Sequence, residues 1–281
     1  MGAAESDGIG VSAKIIGSDL LAGESGMRAS YPLKTPCIDR GLRRSGGAYA
    51  NIIVTLIIVA LAGTALVCLA VATRQRAAEV VCLSNLGQIA QANRRLTPQT
   101  QEKMIWARRF ITEAGLPETV YRCPAAWEIG DDWGSATQTW KTDKTIPEGR
   151  LRLLCSYTIN GWTLPAESKN HRGGPELFVK MSSPAAAHVP AFGDGAWMDS
   201  YPLESDPTPP DLRTGDRQNQ GRNSRRPENM LGRFTIARHQ QTINIGFLDG
   251  HAEAVKLSDL KTLPWHEGWQ PQAWDPPLPA E

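Results

Sequence analysis

No Asp, Glu, Lys, Arg or His occurs anywhere from Ser45 through Thr73. That absence excludes an ordinary surface helix, which needs a polar face, because residues 51–72 are apolar around the whole helical circumference. About 20 such residues cross a bilayer core of about 30 Å, so a membrane-spanning helix over Ala50–Ala72 is expected rather than a buried soluble one. Net charge is also close to absent, at +1 over 281 residues, which leaves the whole molecule no electrostatic attraction for nucleic acid. Catalytic motifs are missing as well: there is no nucleophile elbow, no phosphate-cradling Gly-rich loop and no H-E-x-x-H. Asp131-Asp132 beside Trp133 reads as a solvated turn, and no enzyme is expected.

The basic residues flanking the apolar run set its orientation. Lys34, Arg40, Arg43 and Arg44 precede it and only Arg74 and Arg76 follow closely, which places the N-terminus in the cytoplasm and the bulk of the chain outside it. Forty-four residues precede the apolar run and no clear Ala-x-Ala cleavage site follows it before Arg74, so the segment reads as an anchor and not as a discarded signal. Residues 1–44 read as a disordered leader, with Met27 an alternative start; 45–73 form the anchor; 97–281 form an extracytoplasmic domain.

Beyond the anchor the helix is expected to continue to about residue 96, since Val80, Leu83, Leu86 and Ala90 recur at helical spacing with Ser84, Asn85, Gln88 and Gln91 between them. A second helix is expected from Thr97-Pro98 to Gly115, burying Met104, Ala107, Ile111 and Ala114. Short β-type runs then follow: 119–123, 151–159, 176–181, 189–193, 242–248 and 251–257. In the last pair Ile243, Ile245 and Phe247 alternate with Thr242, Asn244 and Gly246, and Asp249-Gly250 suits a two-residue type I′ hairpin loop. The Pro-rich stretch 202–233 reads as a surface excursion. Its Arg217, Arg222, Arg225 and Arg226 are surrounded by acidic residues and read as a solvated loop. The Trp/Pro-rich tail 264–281 suits folding back over a sheet edge better than a carbohydrate face.

Three of the five cysteines, Cys82, Cys123 and Cys155, fall outside the membrane in an oxidising compartment. Three cannot all pair. A Cys82–Cys123 disulfide is the expected bridge because it would tie the membrane-proximal helix to the domain, although sequence alone does not fix connectivity.

The order of the pieces carries more information than any one of them. A basic leader and apolar helix lead into Cys82-Leu-Ser-Asn-Leu-Gly-Gln-Ile-Ala90, then Tyr121-Arg-Cys-Pro124, Ser156-Tyr-Thr-Ile-Asn-Gly-Trp162 and Ala191-Phe-Gly-Asp-Gly-Ala-Trp197; the series closes with His239, nine residues, and Asp249-Gly250-His251. Over roughly residues 43–260 this resembles bacterial type II secretion pseudopilin-like proteins with a C-terminal H-x9-DG motif. The resemblance implies an α+β, type IV pilin-like fold in which a long N-terminal transmembrane helix packs on an antiparallel β-sheet. It also implies a noncatalytic role in a secretion or pilus-like assembly in the inner membrane, with other pseudopilins as partners. A prepilin peptidase would cut near Gly46, Gly47 and Ala48. This chain departs from the family there, with Ala48-Tyr-Ala-Asn-Ile52 in place of Phe-Thr-Leu-Ile-Glu, so processing is left open. The missing glutamate fits either a special fibre position or a membrane-tethered binding module, glycan-binding for example, that no longer polymerises.

His239, Asp249, Gly250 and His251 belong to one hairpin, and Asp194 would approach them if its strand were a neighbour. That set of imidazoles and carboxylates suits a divalent metal. A structural reading is favoured, in which Asp249 makes the turn and His239 fixes the loop before the strand. No cofactor is expected.

Overall fold

The computed structural model describes residues 42–96, 106, 113–130, 132–146, 149–165, 174–180, 182–209, 211–215 and 229–274. The leader through residue 41, the basic run at Arg217–Arg226 and nearly all of the expected second helix, including Met104, Ala107 and Ile111, lie outside them.

The protein is α+β, with one long apolar N-terminal helix and mixed sheets. Helix α1 spans Leu42–Arg95 and so begins within the stretch expected to be disordered to residue 44. It is long and apolar enough to cross a membrane, and its most hydrophobic window is not buried at all. Side chains from Tyr49 to Val59 are exposed, as are nearly all of those from Ala60 to Ala77.

From Cys82 onward the helix meets a core. Its buried face is Cys82, Asn85, Leu86, Ile89 and Ala90, rotated from the expected stripe, and Val80 is exposed. The rotation has a polar cause: Asn85 goes inward because its amide donates to the Arg122 carbonyl at 3.1 Å and to the Tyr157 hydroxyl at 3.4 Å, which removes the penalty of burying it.

Strand β1 (Glu128–Ile129) pairs parallel with β2 (Gln138–Ile146), which pairs antiparallel with β3 (Gly149–Cys155). The second sheet holds β4 (Tyr157–Asn160), β5 (Pro190–Asp194), β6 (Asp199–Ser200), β7 (Thr242–Phe247) and β8 (Ala252–Lys256), in the order β6-β4-β5-β7-β8. All of its pairings are antiparallel except β4 with β6. Two expected strands are instead 3-10 turns, Glu118–Tyr121 and Pro175–Leu177. Prolines 117 and 124 bracket the first and proline opens the second, which removes ladder donors where a strand would need them.

Both faces of β7 are covered. Gly246 faces α1, where a Cβ would lie 3.1 Å from the Leu86 carbonyl oxygen and 3.3 Å from the Ala90 methyl, so the absent side chain is what lets helix and sheet approach. On the opposite face Ile243, Ile245 and Phe247 pack with Phe234, Leu260 and Trp265. The C-terminal tail therefore folds back, but onto a sheet face: Trp265 and Trp269 are buried. Phe234 and Trp265 lie with ring centroids 4.6 Å apart.

The excursion 202–233 is not wholly on the surface. Asp206, Leu212, Asn229, Met230 and Leu231 are buried. One Asp206 oxygen, Oδ2, accepts the backbone N–H groups of Leu203, Met230 and Leu231 at 2.8–3.1 Å, and Lys261 donates to the Glu204 and Asp206 carbonyls. Polar composition here supplies hydrogen bonds to buried backbone, which composition alone does not distinguish from solvation.

Candidate metal centre

Four elements converge on one buried point. Alternation along β5 turns Phe192 and Asp194 toward α1 and Gly193 away, toward Ile245 and Phe234. Cys82 comes down from α1 onto Asp194, its sulfur 3.4 and 3.6 Å from the two carboxylate oxygens. Cys123 follows the first 3-10 turn and is held by a turn in which the Ala126 N–H donates to its carbonyl at 2.9 Å; Pro124 presets that turn. His239 precedes β7 in a tight turn closed by reciprocal backbone bonds with Thr242 at 3.3 and 3.2 Å. Gln240 at its apex has φ of 63°.

The ligand atoms of Cys82, Cys123, Asp194 and His239 all lie within 4.8 Å of one another, and all four residues are buried. The Nε2 of His239 is 3.4 Å from the Cys123 sulfur and 3.3 Å from Asp194 Oδ2. Because the same ring nitrogen faces both, this is not a nucleophile–base–carboxylate relay, which uses the two imidazole nitrogens for its two partners.

Arg238 closes the site from behind. Its guanidinium, with the side chain fully buried, donates to Asp194 Oδ1 at 3.0 Å. It also donates to the carbonyls of Ser135, Ala136, Ser156 and Gly195. The Asn244 N–H donates to Asp194 Oδ2 at 2.9 Å, and the Tyr157 hydroxyl lies 3.5 Å from the Cys82 sulfur. The Arg238 and Asn244 bonds fix the carboxylate, and the Tyr157 hydroxyl positions the Cys82 sulfur.

The electrostatics are those of a tightly coupled set. Burial acts to raise the Asp194 carboxyl, but the bond to His239 and the charge of Arg238 outweigh it and hold it at about 2. Burial acts to lower His239, yet its bonds to Asp194 and Cys123 bring it up to about 10. Cys123 is pushed upward by burial and brought down, chiefly by its bond with Cys82, to about 6. Burial, then Cys123 and Asp194, push Cys82 well up. One thiolate and one imidazolium therefore face each other beside a carboxylate and a guanidinium.

Of the sequence-predicted residues, the structure unites His239 with Asp194 and brings Cys82 to Cys123. The latter two are free thiols directed at Asp194 and His239 and not a bridged pair. Asp249, Gly250 and His251 do not join them, because the six-residue strand β7, roughly 20 Å of chain, separates the two ends of the motif. At the far end Asp249 accepts from the His251 N–H at 3.1 Å and lies 2.5 Å from its Nδ1, His251 stacks on Phe247, and Arg94 of α1 donates to the Asp249 carbonyl at 2.6 Å. The hairpin is not type I′. The Gly250 N–H donates to the Phe247 carbonyl, the Phe247 N–H to the His251 carbonyl, and Gly250 has φ of 97°, which is a three-residue loop ending in a glycine bulge.

Sequence reasoning missed Arg238 as a buried partner and the two cysteines as neighbours of the histidine. Cys82 and Asp194 are 112 residues apart, and Cys123 and His239 are 116 apart, so no spacing motif marks the set. Gly46, Gly47 and Ala48 lie in α1, in its first turns. Comparison with family models, with curated proteins and with solved structures finds no match to this chain.

Proposed function

We propose that the chain is a noncatalytic, pseudopilin-like protein of the bacterial inner membrane, serving a type II secretion or type IV pilus-like assembly. The observation that carries this reading is the change of environment along a single helix. Apolar side chains from Tyr49 into the 60s are exposed on every face, as a bilayer or a bundle of neighbouring anchors would require. From Cys82 the same helix is buried against a sheet. The order of sequence fragments from the anchor to Asp249-Gly250-His251 supports it, and the absence of a recognisable catalytic motif agrees. A glycan-binding face is less well supported by the tail, since Trp265 and Trp269 are buried.

The topology has a direct test. Lys141 and Lys256 are exposed, so a membrane-impermeant amine reagent applied to intact spheroplasts is expected to label peptides containing them. Labelling that appears only after lysis would put the domain in the cytoplasm and end this reading. Co-purification with other pseudopilins separates an assembling protein from a tethered binding module.

A further inference from the structure

We infer that Cys82, Cys123, Asp194 and His239 form a closed, structural zinc site that fastens α1 to the sheet domain. The argument is independent of the role proposed for the anchor. Zinc takes four ligands in a tetrahedron, with metal–sulfur distances of about 2.3 Å and metal–nitrogen or metal–oxygen distances of about 2.0 Å, so ligand atoms stand roughly 3.3–3.8 Å apart. Here His239 Nε2 is 3.3 Å from Asp194 Oδ2 and 3.4 Å from the Cys123 sulfur, and the Cys82 sulfur is 3.6 Å from that same Asp194 oxygen.

Proton sharing accounts poorly for the same geometry. A single Nε2 faces both a sulfur and a carboxylate, and one Cys82 sulfur sits almost equally far from two oxygens. Such convergence suits a common central partner. Charge agrees: two thiolates and a carboxylate carry three negative charges, which a divalent ion and the buried Arg238 guanidinium neutralise. The soft sulfurs select against magnesium and calcium, and a mixed sulfur, nitrogen and oxygen tetrahedron suits zinc. Burial of all four residues leaves no open coordination position for substrate, which makes the site structural. Arg238 and the Asn244 N–H orient the carboxylate as outer-shell partners. The ion takes thiolates and a neutral imidazole, so the protons these groups still hold in its absence are released to solvent and affinity falls as pH falls.

The test uses the full chain extracted in detergent under reducing conditions. Elemental mass spectrometry is expected to find about one zinc per chain. Chelation should remove it and lower the thermal midpoint, and cobalt(II) added to the chelated chain should give thiolate-to-cobalt charge-transfer absorption. Cys123→Ser should lose the metal, whereas Cys155→Ser, at a buried thiol outside the cluster, should keep it. The wild-type measurements stand alone if a variant does not fold. A reduced chain that neither carries zinc nor takes up zinc or cobalt overturns the assignment. So does a Cys82–Cys123 disulfide in peptides from native membranes.

Discussion

Arg238→Met is expected to cost roughly 3–5 kcal/mol of folding stability, the range for removing one partner of a buried ion pair. The side chain is fully buried against a fully buried Asp194 and donates to five backbone carbonyls, of Ser135, Ala136, Gln138, Ser156 and Gly195. Methionine fills most of the volume but supplies no donor. The carboxylate would then be stranded next to two cysteines, and the loop at 135–138 would lose its link to β7. Arg238→Lys should recover only part of the loss, since an ammonium group lacks the planar fork that reaches several carbonyls at once. Thermal unfolding of the detergent-solubilised chain reads both effects. A cost for the methionine variant below about 1 kcal/mol would mean that the buried pair does not organise the site.

The second large effect is expected at Trp265. Truncation to alanine should cost roughly 3–5 kcal/mol, as for other fully buried large aromatics. The ring is fully buried and lies against Phe234, its Nε1–H donates to the Leu260 carbonyl at 2.6 Å, and the Trp265 carbonyl accepts from Asn160 at 2.7 Å. Trp265→Phe keeps most of the packing and leaves the Leu260 carbonyl unpaired, a smaller cost of about 1–3 kcal/mol. Trp274, whose ring is only partly buried, should tolerate alanine with little change. Equal effects at 265 and 274 would mean that the tail is an appendage and not a layer of the core.

These two residues mark where sequence reading succeeds and where it stops. The long apolar helix was legible because a charge-free run has few structural alternatives, and β7 was legible because Ile243, Ile245 and Phe247 alternate. Strand β2 was not. Its buried positions include Thr139, Trp140 and Thr142, with charged Lys141 among them and Asp143 following, so polarity does not alternate clearly enough to reveal a strand that is nonetheless paired along seven positions with β3. The buried face of α1 was misplaced because Asn85 is polar and buried, which only its partners on other elements explain. The cluster of Cys82, Cys123, Asp194 and His239 was half legible. His239 and Asp194 stood out as ligand types, but Cys82 and Cys123 reach them through tertiary packing of four separate elements, and their expected pairing as a disulfide competes with metal binding for the same sulfurs.

The glycine at 246 illustrates the same limit. In sequence it only interrupts the outward row of β7, whereas in the fold it is the contact point for Leu86 and Ala90. A position that looks solvent-facing by period is covered because a helix lies there.

The native N-terminus tests most directly the proposal that this helix anchors a pseudopilin-like chain. Processing is left open by the departure at Ala48–Ile52, and an assembling role requires it: intact-mass and N-terminal peptide analysis of protein taken from its own membrane would then find a new terminus at Gly47 or Ala48, methylated on the amine, as a prepilin peptidase would leave it. A chain that keeps its leader, beginning at Met1 or Met27, would contradict an assembling role and leave α1 as the tether of a binding module.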